Sequence, residues 1–204
     1  LVILINMKFL FDLGGVFFDW DPKFFFKDIF NNDDELNHFI ENICNNDWNL
    51  KQDRGRSIID GEKELIKRFP EYEDKIKIYY PNHRKMFKKV FTDSVDILLK
   101  LKDHKYMCYV LSNWSAETFI GMKDDYNFLN KFDGMIISGE EKLTKPDKDI
   151  YKLAIKRFNL IPKETIFVDD RIENINSAKL LGFITIHLTD PKKIISQIEE
   201  LISI

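Results

Sequence analysis

Five short apolar runs alternate with segments of helical spacing, and this alternation constrains the fold of the 204-residue chain more than any other feature. Residues 8–12 form a run that ends in Asp12 and enters Gly14-Gly15, as a strand does when it meets a tight loop. Residues 107–111, 135–137, 165–168 and 183–187 read as further strands. Between them, 94–103 (Val95, Leu98, Leu99), 116–126, 147–158 (Ile150, Leu153, Ala154 and Phe158 on one face) and 172–181 read as helices. Asp190-Pro191 caps a last helix whose Ile194, Ile195, Ile198 and Leu201 face inward. Strands that alternate with helices make βαβ units, so the expected class is α/β: a Rossmann-like parallel sheet covered on both faces.

The alternation stops once. From 20 to 87 the pattern is helical throughout. Asp33 is placed to cap a segment carrying Leu36, Phe39, Ile40 and Ile43. Asp60 is placed to cap another, with Leu65, Ile66 and Phe69, that stops at Pro70. Residues 71–87 continue as helix, interrupted by Pro81, and Gly61 reads as an ordinary turn glycine. The organisation expected is a core of 1–19 and 88–204 with a helical cap, 20–87, inserted after the first strand. No internal repeat is visible.

Composition limits the partners. The chain is 44% hydrophobic, enough for a real core, and the 32% of charged residues mix both signs. A net charge of −3 argues against a general nucleic-acid binder but leaves room for a local cationic pocket. Two cysteines, Cys44 and Cys108, make neither a disulfide framework nor a metal-ligand cluster, as expected in a reducing compartment. The apolar residues 1–6 lack a basic leader and a cleavage site, and Met7-Lys8 looks like a more natural start. No run approaches the roughly 18 apolar residues of a membrane span. The expectation is a soluble, cytoplasmic protein with a small-molecule ligand and neither a nucleic-acid nor a membrane partner. Oligomeric state is not legible.

In open α/β sheets, ligands bind beyond the carboxyl ends of the strands. The residues at those ends here are Asp12 with Leu13, Gly14 and Gly15; Ser112-Asn113; Lys145-Pro146; and Asp169-Asp170. Three acids, a hydroxyl and a lysine thus gather at one edge of one sheet. Four segments carry them: FLFDLGGVFFD (9–19), VLSN (110–113), KP (145–146) and FVDDRIENINSAKLLG (167–182). In order and spacing, over essentially the whole chain, they resemble the motifs of the haloacid dehalogenase superfamily. The insert resembles that of the subgroup with a helical cap after the first motif. The DLGGV form resembles a branch that includes sugar-1-phosphate phosphatases.

The resemblance implies a phosphatase in which Asp12 is the nucleophile and an aspartyl-phosphate forms. Lys145 would be the charged clamp, and Leu13, Gly14, Ser112, Asn113 and Lys145 would hold the substrate phosphate. Mg²⁺ would be bound by Asp12, the Gly14 carbonyl and Asp170, with Asp169 acting through a water. The residue types suit those tasks. A carboxylate is ionised at neutral pH without a helper base. Its repulsion from a phosphate dianion, roughly 4 kcal/mol at 4 Å and an effective dielectric of about 20, calls for a cation. Adjacent aspartates offer the hard oxygens magnesium prefers. A lysine opposes the charge that develops on the transferring group. Glycines let backbone N–H groups approach an oxyanion. Purely structural roles are also open: Asp12 ordering a Gly-rich turn, Ser112 in a strand-end turn, and Asp169-Asp170 capping a helix.

One position departs from the pattern. Many superfamily phosphatases carry a second Asp two residues after the nucleophile as acid and base, help typically worth about 10²–10⁴-fold. Here that residue is Gly14. Either another acid serves, with Asp19 and Asp21 nearby at the cap hinge, or the substrate has an easier leaving group, as a sugar 1-phosphate does. Two alternatives stand beside the phosphatase: a metal-independent 2-haloacid dehalogenase, which also lacks the second Asp but loses the acidic pair of the fourth motif, and a non-catalytic phosphate- and metal-binding module. Substrate contacts are sought among Trp20, Trp48, Asp53, Arg54, Arg56, His83 and Arg84 of the cap, and at Trp114. His38, His83, His104 and His187 show no ligand spacing and read as structural or surface groups.

Overall fold

Phe9, Leu10 and Phe11 are fully buried and point alternately to the two faces of the first strand, which makes that strand the centre of the molecule. The computed structural model describes residues 7–202, so the apolar segment 1–6 lies outside it. In chain order the strands are β1 (Lys8–Phe11), β2 (Phe18–Trp20), β3 (Phe87–Val90), β4 (Met107–Ser112), β5 (Gly134–Ile137), β6 (Thr165–Asp169) and β7 (Ile184–His187). Five of them form one sheet in the order β5-β4-β1-β6-β7. Every pairing in it is parallel, with Phe11 opposite Val110 on one side and Val168 on the other. The α/β class and parallel sheet expected from the alternation are observed.

The helices are α1 (Lys23–Phe26), α2 (Asp33–His38), α3 (Asn46–Asp53), α4 (Ile58–Arg68), α5 (Glu73–Lys77), α6 (Thr92–Asp103), α7 (Ala116–Phe119), α8 (Met122–Asp125), α9 (Ser138–Glu141), α10 (Lys148–Arg157), α11 (Ile172–Leu180) and α12 (Ile194–Glu199). One face of the sheet (Phe9, Phe11, Val110, Val168) packs on Ile97, Leu98 and Leu101 of α6 and Ile194 and Ile198 of α12. The other (Leu10, Leu111, Phe167) packs on Ile150, Tyr151 and Ala154 of α10 and Ile175 and Ala178 of α11. On α12, Ile195 is only partly buried, and Leu201, expected on the same helix, lies beyond its end and is 43% exposed, so the inward face is narrower and shorter than the periodicity suggests. No helix among the described residues is long and apolar enough to cross a membrane.

The helical insert has a hydrophobic cluster of its own, built on Phe26, Phe39, Trp48, Leu65, Ile76 and Met86. It begins and ends on a small antiparallel ribbon in which β2 pairs with β3, a feature the helical pattern of 20–87 does not predict. Several local details also differ from the sequence reading. Asn32, not Asp33, caps α2, its Oδ1 accepting the Glu35 N–H at 2.9 Å. Ser57, not Asp60, caps α4, accepting the Asp60 N–H while its hydroxyl donates back to the Asp60 carboxylate at 2.6 Å. The helix expected over 116–126 breaks at Gly121, whose φ of 79° ends one turn and starts the next. Residues 70–86 are short turns of 3₁₀ and α-helix rather than one helix. Gly61 is no turn glycine: it lies within α4, where a Cβ would stand 2.7 Å from Gln52 Oε1.

Candidate active site

The carboxyl ends of β1, β4 and β6 meet at Asp12. Its backbone N–H donates to Val168 of β6 at 2.9 Å, which fixes the first residue beyond β1 against the neighbouring strand. Its Oδ1 accepts the Ser112 hydroxyl and the Leu13 N–H, both at 2.7 Å. Its Oδ2 lies 2.8 Å from Lys145 Nζ. Lys145 in turn donates to Asp169 Oδ2 at 2.7 Å. A lysine and two aspartates from three separate segments thus form one buried ionic triad.

Asp169 is held from behind. Its Oδ1 accepts the Arg171 N–H at 2.9 Å, and the Asn174 amide donates to both carboxylate oxygens at 2.9 and 3.1 Å. Asn113 steadies Lys145 through its backbone rather than its ammonium, taking the Lys145 N–H at 2.8 Å and giving its amide to the Lys145 carbonyl at 2.9 Å. Ser112 is engaged by Asp12 itself. The Asp169-Asp170 pair does not cap α11 by side chain; the Arg171 N–H that Asp169 takes precedes the helix.

The electrostatics are unbalanced in one direction. Asp12, Asp169 and Asp170 each offer a carboxylate oxygen within 4.8 Å of the others, and one lysine faces them. Burial drives the Asp169 carboxyl up to about 6, Asp12 adding to the rise and Lys145 opposing it. Burial followed by the charge of Asp169 drives Asp170 up to about 6 as well. For Lys145, burial alone would favour the neutral form, but the charges and hydrogen bonds of Asp12 and Asp169 outweigh it and hold the ammonium. A site with hard oxygen donors and a surplus of negative charge fits a divalent cation.

The two glycines differ. Gly15 has φ of 68°, and a Cβ there would stand 2.3 Å from Asp170 Oδ2. Its lack of a side chain lets the loop touch the acidic pair. At Gly14 a Cβ would meet nothing within 4 Å. A Cβ is therefore free of obstruction at the position where the family pattern often has an acid.

A cavity of about 300 Å³ opens over this cluster, lined by Asp12, Gly14, Gly15 and Asp170 on the sheet side and by residues of the insert on the other. Of the sequence candidates, Trp20, Asp53, His83 and Trp114 line it. The others are occupied elsewhere. Trp48 lies in the insert core, donating to the Gly61 carbonyl at 3.0 Å. Arg54 pairs with Thr144 and Asp147, Arg56 with Gln52 and Glu64, and Arg84 with Asp125 and the carbonyls of Thr118 and Ile120. Asp19 lies opposite Lys89 in the ribbon and Asp21 takes the Lys23 N–H; neither lines the cavity. Of the four histidines, His83 lines the cavity: it is buried in the wall, where burial and then the Arg84 charge push it down to about 3 and keep it neutral. Trp20 Nε1, Trp114 Nε1 and His83 Nδ1 are all buried without a hydrogen-bond partner.

Sequence reasoning missed Asn49, Phe87, Arg171 and Asn174 of the cavity wall. For Asn174 a signal existed, since it stands five residues after Asp169 at the start of a helix. Asn49 is one turn before Asp53 on α3, but nothing in the sequence says which face of that helix meets the core.

Comparison with known proteins completes the description. A model of the haloacid dehalogenase-like hydrolases matches residues 25–187. The sesquiterpene phosphatase astK of Aspergillus oryzae is 31% identical over 106 residues, 52% of this chain and 54% of that protein. The (S)-2-haloacid dehalogenase 1 of Pseudomonas sp. is 31% identical over 98 residues, 48% of this chain and 43% of that protein. The chain thus spans about half the length of these curated relatives. Among solved structures, the HAD family enzyme BT-2542 of Bacteroides thetaiotaomicron, in complex with magnesium and inorganic phosphate, superposes with a TM-score of 0.67 at 27% identity, covering 89% of this chain and 93% of that one.

Proposed function

The chain belongs to the haloacid dehalogenase-like hydrolases, and within that family we propose that it is a magnesium-dependent phosphatase of a small phosphorylated metabolite, acting through an aspartyl-phosphate on Asp12. The observation that carries this reading is the cluster of Asp12, Asp169 and Asp170 with carboxylate oxygens within 4.8 Å of one another. A dehalogenase working on a neutral carbon–halogen bond has no use for two further acids beside its nucleophile. A phosphatase uses them to hold a divalent cation, which offsets the repulsion between its nucleophile and its substrate.

Asp12, Asp170 and the Gly14 carbonyl would hold the cation, with Asp169, both of whose oxygens are already engaged, standing behind them. Magnesium bound there supplies the positive charge that lets a dianionic phosphate approach a carboxylate. The remaining work falls to the protein. Lys145 pairs with Asp12 and fixes the direction of Oδ2. The Asp12 oxygen attacks phosphorus, the bond to the leaving oxygen breaks, and water later attacks the aspartyl-phosphate to free Asp12 and phosphate. Ser112, Asn113 and the N–H groups of Leu13 and Gly14 would receive phosphoryl oxygens, Ser112 and Leu13 giving up their present bonds to Asp12 and the Asn113 amide its bond to the Lys145 carbonyl, and Lys145 would oppose the charge in transfer. The insert, 20–87, would act as a cap over a core of 1–19 and 88–204, closing the cavity and excluding water.

The cavity wall narrows the substrate. Two indole N–H groups and a neutral imidazole lack partners there, which favours a leaving group that carries oxygen. Aromatic faces at Trp20, Phe87 and Trp114 suit the apolar side of a sugar ring. With no carboxyl at Gly14, a sugar 1-phosphate, whose anomeric oxygen leaves easily, is the preferred class. The test is phosphate release from a panel of sugar phosphates with and without magnesium, with Asp12→Asn as control. Hydrolysis that needs magnesium and Asp12, faster on an aldose 1-phosphate than on its 6-phosphate isomer, supports the reading. A clear 6-phosphate preference removes the substrate class alone. Metal-independent halide release from a 2-haloacid removes the phosphatase, and silence on both panels favours a binding module.

A further inference from the structure

Three carboxyl groups line the cavity over the sheet edge. Asp12 and Asp170 belong to the acidic cluster; Asp53, at the end of α3 in the helical insert, does not. Asp53 is held in place from three directions. Asn49, one turn earlier, donates to Asp53 Oδ2 at 3.2 Å, and the Ser115 N–H also hydrogen-bonds the carboxyl. Its backbone carbonyl accepts the Ser138 hydroxyl at 2.6 Å, and Ser138 in turn takes the Trp114 N–H at 2.9 Å. The next residue, Arg54, is tied to Thr144, the neighbour of Lys145, at 2.6 Å. Asp53 is thus the point where the insert is fastened to the loops that carry Ser112 and Lys145, and it lines the cavity together with Asp12 and Asp170.

We propose that Asp53 donates a proton to the leaving oxygen and then takes one from the attacking water, the task for which Gly14 offers no side chain. The inference rests on the phosphatase reading above. In the first step the Asp12 oxygen bonds to phosphorus, the P–O bond to the leaving group breaks with its electron pair on that oxygen, and the Asp53 proton moves to it. In the second, water loses a proton to the Asp53 carboxylate as its oxygen bonds to phosphorus, and the P–O bond to Asp12 breaks. Protons and charges return to their starting places, with one water consumed.

The surroundings suit a group that works in both directions. Burial raises the Asp53 carboxyl to about 7, the Ser115 N–H drawing it down and the Asp12 charge pushing it up. The other titratable or charged groups around it are the Tyr79 and Tyr80 hydroxyls of the insert, the latter reaching Asn49 at 2.9 Å, and Arg171 and His83 in the cavity wall. His83 is held neutral and carries no spare proton near pH 7.

The experiment compares wild type and Asp53→Asn on p-nitrophenyl phosphate, whose leaving group needs no proton, and on an aldose phosphate, whose leaving group does. With magnesium saturating, kcat on the aldose phosphate should fall on the order of 10²–10⁴-fold, and that on p-nitrophenyl phosphate by less than about tenfold. The basic limb of the wild-type pH profile on the aldose phosphate should vanish in the variant, and Gly14→Asp added to Asp53→Asn should recover part of the loss. As a readout apart from activity, Asp53→Asn should melt higher than wild type by a margin that grows from pH 4 to pH 8, because the unfolded wild type releases the Asp53 proton from about pH 4 upward and the folded one holds it to about 7. Equal losses on the two substrates, or a melting difference that ignores pH, overturn the role of Asp53 and leave the phosphatase reading intact. A wild type that hydrolyses neither substrate, indistinguishable from Asp12→Asn, overturns both.

Discussion

Asn113 grips the Lys145 backbone with both atoms of its side-chain amide: Oδ1 accepts the Lys145 N–H at 2.8 Å and Nδ2 donates to the Lys145 carbonyl at 2.9 Å. The side chain next to Ser112 therefore sets where the ammonium reaches Asp12, although it touches neither charge. Asn113→Ala leaves the ionic groups in place and frees the backbone that aims them. Phosphatase kcat should drop on the order of 10- to 100-fold through misplacement of Lys145. Asn113→Asp keeps the acceptor but loses the donor, so it should be no better. Steady-state rates of the two variants check this; wild-type rates in Asn113→Ala would exclude the positioning role.

Lys145 has no exposed side-chain surface and bridges two aspartates. Lys145→Met replaces it with a chain of similar length and leaves Asp12 and Asp169 facing each other without a cation. Breaking a buried ion pair from one side typically costs about 3–5 kcal/mol. Urea unfolding in magnesium-free buffer should show a loss of that order. Adding Asp12→Asn should recover a measurable part, because one of the stranded charges is gone. A Lys145→Met loss below about 1 kcal/mol would contradict the buried triad.

Gly14 and Gly15 are adjacent yet should respond oppositely to alanine. Gly15 has φ of 68° and no room beside Asp170, whereas Gly14 has open space around its Cα. Gly14→Ala should stay within about 0.5 kcal/mol of wild type. Gly15→Ala should cost at least about 2 kcal/mol, from left-handed backbone strain and the displacement of Asp170. It should also weaken magnesium dependence of phosphate release, since Asp170 is the residue displaced. Chemical unfolding and a magnesium titration of the rate distinguish the two positions.

The sheet was legible because Phe9-Leu10-Phe11, Val110-Leu111 and Ile166-Phe167-Val168 are buried on both faces and so appear as unbroken apolar runs. The acidic and cationic residues beyond them followed, since a parallel sheet brings all its carboxyl ends to one edge. The ribbon of β2 and β3 was not legible: Phe18-Asp19-Trp20 is too short for a period, and Lys88 and Lys89 stand together in its partner. Helix caps were misplaced by one residue at Asn32 and by three at Ser57, where several polar residues compete for the same start. Gly61 reads as a turn glycine in the sequence because its reason is Gln52, nine residues away on another helix.

The cavity wall was the least legible part. Arg56 and Arg84 look like substrate clamps in a sequence, yet Glu64 and Asp125 already neutralise them. Asp53 stands in the sequence as one cap candidate among seven, with nothing to single it out. The fastening of the insert at Ser138 and Thr144 brings it into one cavity wall with Asp12, and the Ser138 contact joins segments 85 residues apart.

His83 gives the chain a specific sensitivity to acid. It is buried against Trp114 and Phe87 with ring centroids at 5.8 and 5.3 Å, and its imidazole is held neutral down to about pH 3 by burial and by the Arg84 charge. The unfolded state protonates it near pH 6.5, so below that pH the unfolded state binds the extra proton and the folded state does not. Its contribution is whole above pH 6.5 and is lost as the pH falls toward 3. At pH 4.5 the difference of two pH units amounts to about 2–3 kcal/mol of lost stability. His83→Phe removes the titration and keeps an aromatic ring beside Trp20 and Trp114, so its urea midpoint should fall less than that of wild type between pH 7 and pH 4.5. Parallel declines in the two proteins would mean that His83 takes up its proton in the folded chain, and that the cavity wall around it admits more water than the burial of its ring implies.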